Sequence, residues 1–406
     1  MLKFYYGVKM IINIYRFTVS ILFFLSFVLP NSIRPLFVAF IGLSFLMSLL
    51  HWNVFLYYKK IFVLYGMTLL ITVIYFIVGV INGASVESVY LNTVVYIIFP
   101  FLWIIVCIAL FENMEYKVLL KFGAFLLFLA CFSVYAFYFL FKNYGPHAVS
   151  LFISEEFANS TVDSSGAGMT MHVFGTFIFS VPFLFVMLTK VNSWVMFFLA
   201  VLVGLVAYYS GRGALLSIYL FSLSVFIFYK SRKHIFIVFS LLVPFLTLIS
   251  YFYLDIDVSI ISRLIEKILS GGGSERVEQF FALLEGINVS YGLGIGHGIP
   301  AEVIRNSNHP WRYELMLFST FYHVGFLGLF IYLLPFLYSL TIAAQLIKLN
   351  HANHLDFAFA LSLIAMLIVA NSNPYIMSIS FQWMYVMPVI YFQKRRNELT
   401  CPPLTS

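Results

Sequence analysis

Charged residues make up only 10% of the 406 in this chain, so the places where ionisable side chains gather stand out. One of them, Asn306-Ser307-Asn308-His309-Pro310-Trp311-Arg312-Tyr313-Glu314, crowds polar, aromatic and ionisable groups just before an apolar stretch. A carboxylate at Glu314 or an imidazole at His309 is the kind of group that takes a proton from a hydroxyl. Trp311 and Tyr313 supply rings of the sort that stack on a sugar face. Glu314 is equally an acid favoured by the positive end of the helix that follows it. Arg276 comes just after Gly271-Gly272-Gly273 and the candidate N-cap Ser274. It therefore adds a guanidinium to the free amides and dipole of a helix start, where phosphate binds well. The plainer alternative is a solvated arginine paired with Glu275 or Glu278. Arg212, in Ser210-Gly211-Arg212-Gly213, separates two apolar runs. It either snorkels to lipid headgroups or clamps an anionic ligand. His297 belongs to Gly292-Leu293-Gly294-Ile295-Gly296-His297-Gly298, which brings backbone close to a ligand or forms a flexible turn back to the membrane. It matches neither the dinucleotide fingerprint nor the phosphate loop. Asn371-Ser372-Asn373-Pro374 is an outer turn or lines the same cavity.

The elements that must position these residues are helices in lipid. The chain is 62% hydrophobic, with a mean hydropathy of +0.99, too apolar for a water-soluble surface. Apolar runs able to cross a hydrocarbon layer about 30 Å thick fall at about 11 to 30, 35 to 50, 61 to 81, 89 to 111, 119 to 141 and 171 to 189. Six more fall at about 194 to 210, 213 to 229, 235 to 253, 314 to 346, 355 to 371 and 376 to 393. The expected fold class is an all-α polytopic membrane protein of about 12 spans, a single transmembrane domain over residues 1 to 406. The first apolar run follows Lys3, Lys9 and Arg16 like a secretion signal but lacks a small-residue cleavage site, so it reads as a retained helix.

Charge placement tests the count. With both termini in the cytoplasm, the inner loops hold 15 of the 23 Lys and Arg and four acids, a net +11, while the outer side carries a net −4. Lys and Arg accumulate on the cytoplasmic side, so this asymmetry, rather than nucleic acid, accounts for the formal charge of +7. Two outer segments exceed simple turns, one over 142 to 170 and a main one over 254 to 313. Ile261, Leu264, Ile265 and Ile268, then Val277, Phe280, Phe281, Leu284 and Ile287, predict two amphipathic helices in the main loop. Cys107 and Cys131 lie in apolar runs and Cys401 in the tail, so neither a disulfide nor a metal site is expected.

Arg212 in Ser-Gly-Arg-Gly-Ala-Leu-Leu, the Gly-Ser-Glu-Arg276 opening, the Gly-Leu-Gly-Ile-Gly-His-Gly run and Glu314 eleven residues before Gly325 follow one another in that order. With Asn373-Pro374-Tyr375 near the end, they resemble the bacterial O-antigen polymerase and O-antigen ligase superfamily over about residues 194 to 392. The resemblance implies a GT-C-like membrane glycosyltransferase of the inner membrane, independent of metal and cofactor, acting at the periplasmic face on undecaprenyl-diphosphate-linked oligosaccharide. Membrane lipid and a chain-length regulator would be its further partners. It implies that Arg212 and Arg276 hold the diphosphate and that the loop residue before the following helix, Glu314 or His309, serves the acceptor hydroxyl; His297, Trp311, Arg312 and Tyr313 are the further residues expected at the substrate site. Diphosphate is already a good leaving group, so fixed cations and one base suffice. Ligases carry His where this chain has Glu314, which favours the polymerase over transfer of finished glycan to lipid A core. A flippase for the same lipid-linked unit would be expected to have two related halves and charges within its spans.

Overall fold

The computed structural model describes residues 2–152, 158–163, 166–171, 173–190, 193–209, 213–230, 274–305, 307, 309–371 and 375–400. Uninterrupted apolar runs have one way to satisfy their backbone away from water, which is to hydrogen-bond internally as helices. Accordingly α1 (Leu2–Phe27), α2 (Arg34–Ser48) and α3 (Lys59–Ile81) follow in turn. Short helical turns over Leu49–His51, Trp52–Phe55 and Leu56–Tyr58 join α2 to α3. Helix α4 (Val86–Asn113) carries a π-helical turn at Val94–Ile98 and is followed by α5 (Tyr116–Phe152). Then come α6 (Phe174–Lys190), α7 (Trp194–Tyr209) and α8 (Gly213–Lys230). After the break come α9 (Ser274–Val289), α10 (Met316–Lys348), α11 (His354–Val369) and α12 (Trp383–Thr400).

Four segments among the described residues are long and apolar enough to cross a membrane: Arg34–Ile81, Val86–Asn113, Tyr116–Leu140 and Met316–Lys348. Shorter apolar helices, such as Phe174–Thr189 and His354–Val369, fall where further runs were expected. The predicted run at 235 to 253 and the first amphipathic helix at 261 to 268 lie outside the described residues. In the segment expected as a loop over 142 to 170, α5 continues to Phe152. An antiparallel hairpin then pairs β1 (Ala158–Asp163) with β2 (Gly166–Met171), Ala158 opposite Met171. Its short strands carry little of the alternating apolar pattern that announces a strand.

Aromatic side chains knit the interior. The ring of Phe23 lies 5.7 Å from Trp103 and 5.4 Å from Trp383, tying α1 to α4 and α12. A second cluster, Leu283, Ile287, Ala301, Tyr313 and Tyr322, seats α9 against the start of α10. At the far end of α10, ion pairs fasten α12. Arg395 meets Asp356 at 3.1 Å and Glu398 at 2.8 Å, and Lys394 meets Glu112 at 3.4 Å. Tyr391 donates to Asp356 (2.7 Å) and Tyr58 to Glu112 (2.6 Å). These five charged residues gather at one end of the bundle.

Candidate functional site

Helix α10 is broken at Gly325, whose backbone (φ 65°, ψ −176°) lies in a region essentially reserved for glycine. The glycine-rich segment 292–298 fills the break. Ile295 N donates to Tyr322 O (3.0 Å), Gly296 N to His323 O (2.8 Å), and Phe326 N to Gly292 O (3.0 Å). Backbone groups that a continuous helix would pair with itself are thus paired with the inserted strap. On its other side His297 N donates to Tyr75 O (2.9 Å) of α3 and Asn82 Nδ2 to Ile295 O (2.8 Å). A Cβ on Gly296 would overlap the backbone of Gly79, so α3 and the strap are in backbone contact. The reading of this run as a flexible turn is therefore corrected: its glycines let the chain press against two helices.

His297 is carried inward by the strap and is only 2% exposed. Its Nε2 shares a 2.9 Å hydrogen bond with the Tyr332 hydroxyl, which shares another of 2.7 Å with Thr72. Burial pushes the imidazole well below its usual range, and neighbouring His323 adds to the effect. The rings of Phe76 (5.0 Å) and Tyr96 (4.8 Å) complete its surroundings.

Above the strap, the loop that returns to α10 is fixed by two tyrosines. Tyr313 Oη accepts from Ala301 N (2.6 Å), and the Tyr322 hydroxyl donates to Pro300 O (2.8 Å). Tyr313 and Trp311 are buried, at 0% and 3% exposure, so both rings pack within the loop instead of offering open faces. The Trp311 Nε1 donor has no hydrogen-bond partner among the described residues. His309 lies against Trp311, ring centroids 5.6 Å apart, and its carbonyl accepts from Arg312 N (3.0 Å).

This scaffold brings together a carboxylate and two guanidinia. Arg276, in the first turn of α9, donates through Nε to Glu314 Oε2. Arg305 Nη2 donates to the other oxygen, Oε1, at 2.5 Å. The Glu314 amide donates to Gln279 Oε1 (3.4 Å), and Gln279 is itself buried on α9. Glu314 precedes the α10 N-cap, Leu315, and gives its carboxylate to the arginines; no acid occupies the first turn of α10. Sequence offered Glu275 or Glu278 as partners of Arg276; the structure gives it Glu314, and Arg305 was not singled out at all. Sequence spacing gives Arg305 away only as the base nine residues before Glu314. Arg212, with Asn373 and Pro374, lies outside the described residues.

An apolar cavity of about 190 Å³ lies between α3, α4, α10, α11 and α12, and its wall reaches Met316, two residues after Glu314. Its wall includes Met316, Leu317 and Thr320 in the first turns of α10, Tyr96, Tyr332 and Tyr385. Arg312 is near enough to Tyr96 for its charge to act there. A second apolar cavity, about 150 Å³, sits among α1, α5 and α6 around Phe23 and Phe179. No family model, curated protein or solved structure matches this chain.

Proposed function

We propose that the protein is an O-antigen-type polymerase, a glycosyltransferase of the bacterial inner membrane. On this reading, about twelve spans carry the main loop on the periplasmic face. There the enzyme joins undecaprenyl-diphosphate-linked oligosaccharide units into a polysaccharide. The observation that carries the reading is the Arg276–Glu314–Arg305 group, with an apolar cavity whose wall reaches Met316, two residues after Glu314. It supplies cations for a diphosphate, a carboxylate for a hydroxyl and an apolar space for part of a prenyl chain. The order of motifs from Arg212 to Gly325 lends independent support.

In the proposed step the acceptor sugar hydroxyl gives its proton to Glu314 as its oxygen bonds to the anomeric carbon of the donor glycan. The anomeric carbon–phosphate oxygen bond breaks, and its electron pair leaves with undecaprenyl diphosphate, whose charge the arginines meet. Glu314 then returns the proton to water. Fixed guanidinia stabilise charge that develops only as the bond breaks, the kind of interaction that raises turnover.

Surface polysaccharide from a deletion strain tests the reading. A polymerase defect leaves lipid A core bearing a single repeat unit, restored to long chains by the wild-type gene. Bare core with glycan retained on its carrier would instead identify a ligase, and unpolymerised units trapped inside the cell would identify a flippase.

A further inference from the structure

Both oxygens of the Glu314 carboxylate are engaged by guanidinium N–H groups, from Arg276 and from Arg305. A base must receive a hydrogen bond from the hydroxyl it deprotonates, at about 2.6 to 3.2 Å. In the arrangement described, those oxygens face arginines instead. The one carboxylate offsets one of the two guanidinium charges and holds both side chains, so an incoming anion meets arginines already committed to Glu314.

We propose that Glu314 and the diphosphate compete for Arg276 and Arg305, so that arrival of the anionic donor frees the carboxylate to serve the acceptor. This assigns Arg305 to the diphosphate site and makes the base available only when a donor is bound. It rests on the polymerase reading for the identity of the donor, but the competition itself rests on the geometry. A diphosphate carries more charge and more acceptor oxygens than one carboxylate, and arginine forks bind such groups bidentately. The exposure of the three side chains, 25% for Arg276, 35% for Arg305 and 14% for Glu314, leaves the arginines the accessible members. An incoming anion therefore meets them first.

Farnesyl diphosphate binding to the purified full-length protein in detergent, measured by calorimetry, tests the competition. Removing the competing carboxylate with Glu314→Gln should tighten binding about tenfold, the equivalent of one charge-assisted hydrogen bond. Arg305→Gln should weaken it by about as much, with Arg305→Lys between. In the Arg305→Gln background the gain from Glu314→Gln should shrink to about threefold or less, since one contested cation is gone. Unchanged or weaker binding in Glu314→Gln, equal gains in both backgrounds, or no binding to the wild type would each overturn the proposal. Each variant's thermal unfolding is recorded alongside, and the intermediate position of Arg305→Lys decides the case if Arg305→Gln unfolds. Glycan elongation is scored separately: the expected binding pattern without elongation keeps the competition and rejects the polymerase, whereas elongation without the pattern does the reverse.

Discussion

At the scale of single residues, the proposed chemistry rests on one carboxylate. If Glu314 takes the acceptor proton, Glu314→Gln should cut glycan elongation at least about 100-fold, the usual span of a general base, while the variant still reaches the membrane. Near-wild-type elongation would remove Glu314 from the mechanism. Arg276→Lys keeps the charge and loses the planar fork, so elongation should fall about tenfold, less than for Arg276→Gln. His297 acts in a different way, through stability. Its folded-state pKa is depressed by burial, so the unfolded chain takes up a proton first as pH falls through about 6.5. The stability held by neutral His297 is thus fully present above that pH and is lost progressively below it. Thermal unfolding in detergent should therefore lose less between pH 7.5 and 5.5 in His297→Gln than in wild type. An equal loss in both would show that the imidazole does not set this sensitivity.

At the scale of elements, the break in α10 and the strap within it hold the charged loop in place. Gly325→Ala puts a Cβ against the Leu293 carbonyl and forces a conformation that costs an ordinary residue about 1 to 3 kcal/mol. A lowered melting temperature with reduced elongation is expected, and a variant as stable as wild type would contradict the strap as described. At the other end of the bundle, Asp356 is 2% exposed and holds Arg395, Tyr391 and the Asn353 amide. Asp356→Ala takes the shared acceptor from Tyr391 and the Asn353 amide and leaves Arg395 with Glu398 as its acid, and should cost about 3 kcal/mol or more. The same variant should retain glycan specificity, because it lies at the opposite end of α10 from Glu314. Much of this was legible in sequence, because a helix in lipid needs little more than a long apolar run, and α9 announced itself through Phe280, Leu284 and Ile287. The strap was not legible. Its glycines pair with Gly79 and with the broken turn at Gly325, partners more than two hundred and about thirty residues away, and no local spacing encodes those contacts. Arg305 escaped notice for the same reason, since its role depends on Arg276 arriving from a different helix.

At the scale of the whole molecule, the fold separates two charged ends by α10, 33 residues and so about 50 Å if straight. Assigning the Glu314 end to the periplasm comes from the charge asymmetry of the sequence. It predicts that a cysteine replacing exposed Tyr291 is labelled in intact cells by a maleimide that cannot cross the inner membrane. Labelling only after the membrane is broken would place the arginines where no periplasmic donor reaches them. The most direct measurement of the account is elongation by the purified protein in liposomes supplied with undecaprenyl-diphosphate-linked repeat units on the face bearing Glu314. The account predicts a ladder of longer lipid-linked glycans that forms without added metal and disappears with Glu314→Gln. Units that stay single with wild-type protein, or a ladder undiminished by that substitution, would contradict it.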